Sequence, residues 1–528
     1  MMTYLRYWLP VGFLLLIYAV GFGLPDLSNK WPHVVIGFMA LSLAWSFHFL
    51  IKQKFSLIEP QFWLGIFLVL SFISSVIASN PYAALLNWLV IFVGAIIYTL
   101  VRSLNSEHRL PLLAGLLIIN FIGIAWSLLA KSANFPINWL PPIGKAPIAL
   151  ASLGIFAITL AVLVYQQLKN KIQKVILIVI IVLFVTVLFL PSVFQNVGKF
   201  WSTLKPQLPV AGKILKAEPI FGIGLNNYQY YYPQFTKGTS LLVSQSPNAW
   251  FESGLSFGLL PVLAFLVFLF FTFKSILVDQ NKINKILISC GVVLTLLFLA
   301  FGKITDYSIV IINFWIILGI GTQALPTQEV KDKNTSTIFR YILIVAGIVL
   351  AIQSLSMGLG INRFARAERV AKSGDSKTAI GLYTQSLKFD FDPEQRRAYA
   401  ESLWLQEHNN KNFALAEQQA KLAIAWNRQD AYGRQILARI NFSRQNFALA
   451  EKYYLEALQR DPIFSLDIYL SLADVYKKQN KIAEEKAILK KVFYYYPENF
   501  SPSDVAFPSF FDQLKAVKKR FQEQDGKK

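Results

Sequence analysis

The sequence predicts an all-α chain: a polytopic membrane domain of about eleven transmembrane helices over 1–360, then a helical-repeat α-solenoid over 361–528. Three observations carry this. The 528 residues are 55% hydrophobic and only 15% charged, where soluble domains sit nearer a quarter charged. Apolar runs long enough to cross a ~30 Å hydrocarbon core recur along the first two thirds. From about residue 361 the composition turns polar and repetitive. Collagen-like and disordered chains are excluded by the 15% aromatic content and only 28 glycines. The single cysteine, Cys290, excludes a disulfide framework and a cysteine-based metal site, and four histidines make a His-rich metal site improbable. The net charge of +21 alone would suit nucleic acid or an anionic membrane surface. Most basic residues flank apolar runs, which favours membrane and leaves no role for nucleic acid.

The expected spans lie near 6–24, 33–51, 61–79, 82–101, 110–130, 146–168, 173–190, 250–273, 284–302, 306–322 and 339–359. The first is too long for a signal-peptide core and no small-residue cleavage site follows, so it is expected to remain. Orientation follows from lysine and arginine in the short loops. With the N-terminus cytoplasmic, the inside loops carry Lys52 and Lys54; Arg102 and Arg109; Lys169, Lys171 and Lys174; Lys274, Lys282 and Lys285; and Lys331, Lys333 and Arg340. The opposite loops carry few. This places the 191–249 loop and the C-terminal region outside the cytoplasm.

In the polar region the string NFALAE occurs at 412–417 and again at 446–451, a spacing of 34 residues. Ala450, Tyr454, Ala457 and Pro462 form the best copy, echoed by Ala416, Ala420 and Ala423, by Gly374, Ala379 and Tyr383, and by Ala483 with Pro497. Period and pattern resemble tetratricopeptide repeats, helix–turn–helix units that bury their apolar faces by stacking on neighbours. About four repeats are expected over 364–498, with a surface suited to a protein partner.

The informative loop is 191–249. It holds Lys199, Lys205, Lys213, Lys216 and Lys237 against the single acid Glu218, together with Phe200, Trp201, Phe221, Tyr228, Tyr230, Tyr231 and Tyr232. Two explanations stay open. Ammonium groups and aromatic faces suit a ligand with a diphosphate and sugar rings. Equally, tryptophan and tyrosine form interfacial belts while lysines meet lipid headgroups.

Two patterns follow in order. Glu218-Pro-Ile-Phe-Gly-Ile-Gly-Leu-Asn-Asn227 contains a P-x-x-G-x-G turn, and Pro247-Asn-Ala-Trp-Phe-Glu-Ser-Gly-Leu-Ser-Phe-Gly-Leu-Leu260 runs into an apolar helix. Together with Gly144-Lys-Ala-Pro-Ile-Ala-Leu-Ala151, they resemble the O-antigen ligase/polymerase superfamily over most of 1–325. Some relatives in that superfamily also carry C-terminal tetratricopeptide repeats. The resemblance implies transfer of a glycan from a polyprenyl-diphosphate carrier to a hydroxyl acceptor outside the cytoplasm, without metal, nucleotide or other cofactor. By that resemblance Glu252 and Asn248 are the catalytic candidates. Lys199, Lys213, Lys216, Trp201, Gly222, Gly224 and Asn227 are candidates for substrate binding.

The chain also departs from the family pattern. Its motif histidine is Pro247 here, its second glutamate is Ser256, its last glycine is Pro261, and 191–249 holds no arginine. Proline cannot abstract a proton. Glu252 acting as base, catalysis by electrostatic stabilisation of the leaving diphosphate, and loss of transfer with retained binding all remain open. Asp306 with Lys303 is a second carboxylate candidate. The reading from another class is a non-catalytic membrane scaffold or receptor that recruits envelope proteins through the repeats. A transporter ranks third, because the spans carry few charges near their centres.

Overall fold

The computed structural model describes residues 60–103, 205, 207–235, 249–278, 308–322, 356–407, 413–463, 466–495 and 508–525, with single positions at 114, 115, 118, 349 and 352. The described residues are helical and contain no strand. They fall into two compact units. One comprises 1–73, 86–205 and 247–358; the other comprises 74–85, 206–246 and 359–528.

The first unit is apolar. It holds most of helices α1 (Pro60–Ile77) and α2 (Pro81–Ser103), whose 74–85 stretch belongs to the second unit; both begin on proline, whose missing N–H falls where a helix has no partner for it. Helix α5 (Ala249–Phe257) and helix α6 (Leu259–Val278) are separated by Gly258 at φ +69. The run expected as one span over 250–273 is therefore interrupted. A left-handed residue breaks the helical ladder, and glycine takes that conformation without a Cβ clash. Helix α7 (Ser308–Gly321) completes the described part of this unit. Among the described residues, three helices are long and apolar enough to cross a membrane: Pro60–Ile77, Pro81–Thr99 and Leu259–Leu277. The other expected spans, 6–24, 33–51, 110–130, 146–168, 173–190, 284–302 and 339–359, lie wholly or mostly outside the described residues.

Aromatic rings fill the interior of this unit. Phe67 meets Phe257 and Phe265, Trp63 stacks on Phe271, and Tyr98 and Phe268 pack with Trp315. Glycine lets α2 and α7 approach. A Cβ on Gly94 would lie inside the Trp315 indole, and one on Gly319 would sit 2.8 Å from the Tyr98 carbonyl and from the Val101 Cβ. Val69, Phe72 and Ile73 on α1, and Leu259, Leu263, Leu266 and Phe270 on α6, remain exposed. Their helical spacing gives the apolar outer face that a lipid-facing helix requires.

The second unit is built on helix pairs. Helix 356–372 (α8) is followed by α9 (Ser376–Ser386), α10 (Pro393–Glu407), α11 (Ala414–Trp426), α12 (Ala431–Ser443), α13 (Phe447–Arg460), α14 (Leu466–Lys478), α15 (Ile482–Tyr495) and α16 (Pro508–Asp525). From α9 onward each helix packs on its chain neighbour. Positions 34 apart share an environment: Ala416 and Ala450, Ala420 and Tyr454, and Ala423 and Ala457 are all buried. The turns repeat as well. Gly374, Gln445 and Asn480 are left-handed (φ +89, +63 and +59), each two residues before the next helix. Each N–H bonds to the carbonyl three residues back.

Ala483, expected in the last repeat's core, is exposed; Glu485, Ile488, Leu489 and Val492 are buried instead. The pattern has slipped by one residue relative to α13. Glu485, at the small-residue position, is matched by Arg520 of α16, whose Nη2 donates at 2.7 Å.

Candidate functional site

The motif glycines and Asn227 form one tight structure in the second unit. Gly222, Gly224 and Asn226 are left-handed at φ +64, +81 and +59, so the chain between α3 (Leu208–Ala217) and α4 (Tyr228–Phe235) reverses at every second residue. Gly224 is required twice over: by its φ, and because a Cβ there would overlap Ala78 and sit 3.2 Å from Ala84.

This winding directs the Asn227 side chain, fully buried, onto the connector between α1 and α2. The Asn80 N–H donates to Asn227 Oδ1 at 3.1 Å, and the Ser79 hydroxyl donates to the same oxygen at 3.5 Å. Asn227 Nδ2 donates to the carbonyls of Asn80 and Leu225, each at 3.3 Å. Asn80 also starts α2, its Oδ1 accepting the Ala83 N–H at 3.2 Å, as a helix cap does. The Ser74 hydroxyl donates to the Phe221 carbonyl at 2.6 Å. Both polar atoms of the Asn227 amide are thus engaged by the protein.

The repeats close around the same elements. Helix α4 packs against α13, and Gln234 donates to Gln429 at 3.0 Å. The Arg428 N–H donates to the Ser79 carbonyl at 2.9 Å, and the Tyr82 hydroxyl donates to Asp390 at 2.5 Å. Tyr230 takes a bond from Asn80 Nδ2 at 3.3 Å and gives one to Glu394 at 3.2 Å. Burial raises the Tyr230 hydroxyl's pKa, and Glu394 adds to the effect, so it stays protonated and donates. Arg397 meets Asp430 at 3.5 Å. Burial opposes that guanidinium's charge, but Asp430 and Glu394 outweigh it and hold it charged. Ser79, Asn80, Asp390, Glu394, Arg397 and Asp430 were not singled out from the sequence. The only local signal was Asn80-Pro81, a turn dipeptide.

The other expected site residues divide among the second unit, the first unit and the residues outside the described set. Lys213 and Lys216 are exposed on α3, and Lys213 Nζ donates to the Phe235 carbonyl at 3.3 Å. Gly222 is buried in the turn. Glu252 belongs to the first unit, in the first turn of α5, and is 6% exposed. Tyr232, expected as packing or an interface anchor, is fully buried against Tyr228. Lys199, Trp201, Asn248, Lys303 and Asp306 lie outside the described residues. The chain matches no protein-family model, and no curated protein matches it.

Proposed function

We propose that the protein is an extracytoplasmic glycan transferase of the O-antigen ligase/polymerase type. It takes a glycan from a polyprenyl-diphosphate carrier in a bacterial inner membrane and transfers it to a hydroxyl acceptor. The observation that supports this best is the conformation of the motif glycines. Gly222, Gly224 and Gly258 all occupy left-handed φ, so each stands in its motif for a backbone reason rather than by composition. Glu252 is the general base on this reading. It is a buried carboxylate on the short helix α5, six residues before the Gly258 break that separates α5 from a helix long and apolar enough to cross a membrane. Asn248 orients substrate, and the diphosphate is held electrostatically by Lys199, Lys213 and Lys216, with Trp201 as a sugar platform. No cofactor is required. The 34-residue array is read as tetratricopeptide repeats.

A second reading is favoured by the Asn227 geometry. That amide and the repeats are spent on holding the chain's own connector and α4, as a non-catalytic membrane scaffold recruiting envelope proteins would do. One experiment separates the two. Envelope glycans and extracted polyprenyl-linked glycans are profiled in a deletion host complemented with wild type or Glu252→Gln. The transferase reading expects the variant to lose acceptor-bound glycan while donor accumulates. An unchanged profile in both deletion and variant rejects it and leaves the scaffold.

A further inference from the structure

The outer face of α3 carries exposed leucines as well as Lys213 and Lys216, and a role in holding a diphosphate accounts for the lysines but not for the leucines. Val210, Ala211 and Ile214 turn inward and are buried. The outward face divides lengthwise at about 100° per residue. Leu208 and Leu215, seven residues apart, form an apolar line at 51% and 43% exposure. Lys216 lies about 80–100° around the helix from that line and Lys213 about 140–160°, both exposed on the outward face. The apolar line continues past the helix into Ile220, which is 54% exposed. A water-facing helix has no use for three exposed large aliphatic groups in ten-odd residues of chain.

The surroundings within the same unit say what covers them. Phe221, next to Ile220, is tied by its carbonyl to the Ser74 hydroxyl at 2.6 Å. Ser74 precedes the end of α1 at Ile77 by three residues, roughly 4.5 Å along the axis. Helix α1 is long and apolar enough to cross a membrane, and its last residues Val76 and Ile77 are themselves 45% and 49% exposed. The exposed aliphatic surface of the α3 segment is therefore fastened to the end of a lipid-facing helix. That is the depth at which hydrocarbon meets headgroups.

We infer that α3 is an interfacial helix whose Leu208–Leu215 line and Ile220 enter the bilayer surface while Lys213 and Lys216 reach anionic phospholipid headgroups. Ammonium groups and an aliphatic stripe on one outward face match a surface with phosphate above and acyl chain below. The seat would hold the Gly222–Asn227 turn at headgroup level whether or not the protein transfers a glycan.

The test uses the full-length chain carrying Cys290→Ser and one new cysteine, either Leu208→Cys or Leu215→Cys, labelled with an environment-sensitive fluorophore. Ile482→Cys, 71% exposed on the repeats, is the aqueous reference. The proteins are placed in nanodiscs of phosphatidylcholine, alone or mixed with phosphatidylglycerol, containing lipid with nitroxide on its acyl chains. The expected result is blue-shifted emission and several-fold stronger quenching at 208 and 215 than at 482. Phosphatidylglycerol should increase that quenching, and Lys213→Gln with Lys216→Gln should abolish the increase. Quenching at 208 and 215 no greater than at 482 overturns the inference. Quenching indifferent to phosphatidylglycerol overturns the headgroup contact. No glycan donor is present, so failure here is distinct from failure of the transferase reading.

Discussion

The apolar unit and the helix-pair unit hold themselves together by different means. In the first, rings and close glycine contacts meet at α2, α6 and α7, while aliphatic residues face outward. In the second, small residues interlock at 34-residue spacing and the edges are laced with charge. Arg434 meets Glu456 at 3.4 Å, Arg439 meets Asp467 at 2.9 Å, and Arg520 meets Glu485 at 2.7 Å. Every ion pair whose two partners are both described belongs to this unit. Lipid offers a polar group nothing in exchange for its hydration, so shape must do what charge does in water.

The sharpest way to break the comparison is a position where shape governs the polar unit too. Gly224→Ala combines a left-handed penalty with overlap against Ala78, and should cost about 3 kcal/mol. Hydrogen exchange should show protection lost at 79–84 and 222–228 together; loss at 222–228 alone would contradict the connector contact. Next is Asp430→Ala, which removes the cap on the Gly433 N–H and the partner of Arg397. About 2 kcal/mol is expected in denaturant unfolding, with Asp430→Asn recovering the cap share but not the charge share.

In the apolar unit, Gly94→Ala drives a methyl into Trp315 and should cost about 1–2 kcal/mol. Pairing it with Trp315→Leu should cost less than the two changes added, as coupled neighbours do. Additive costs would mean the α2–α7 contact is not what holds them.

The smallest effect concerns the repeat surface. Glu417 is held below the usual glutamate range by its bond to Lys421, helped by Arg444. A lowered carboxylate pKa stabilises above the unfolded value near ~4.3. That contribution is lost as pH falls through the lower folded value. Glu417→Gln should cost roughly 0.5 kcal/mol at neutral pH, fading in acid and in high salt. The Gly94→Ala cost should respond to neither.

Much of the fold was legible because it depends on period and composition. The spans at 61–79 and 82–101 are recovered as α1 and α2 within a few residues, and the 34-residue spacing is matched by burial at Ala416 and Ala450. Legibility ended where backbone geometry replaced side-chain pattern. Gly258 reads as a family glycine, but nothing in the apolar run around it says that it ends one helix and begins another. Gln445 and Asn480 repeat the left-handed turn of Gly374 without its residue type. Ala483 misled because small residues recur in α15 at 483 and 487, yet both are exposed and the buried positions are Glu485, Ile488, Leu489 and Val492. In the candidate site, Gly222, Gly224 and Asn227 were found from a local motif, whereas their partners were not. Asn80 lies 147 residues from Asn227, and Glu394 lies 164 from Tyr230.

By itself, then, the sequence determined two kinds of segment: helices long and apolar enough to cross a membrane, and a repeating polar helical array. Hydrophobic period and the length of apolar runs are local quantities, summed along the chain with no knowledge of distant partners. Only the tertiary structure decided that the Asn227 turn is clasped to the α1–α2 connector, that the repeats hold α4, and that Lys213 and Lys216 share an outward face with exposed leucines. Those facts rest on buried hydrogen bonds between segments far apart in the chain. No local pattern announces such a bond, because its partner is chosen by how the helices pack.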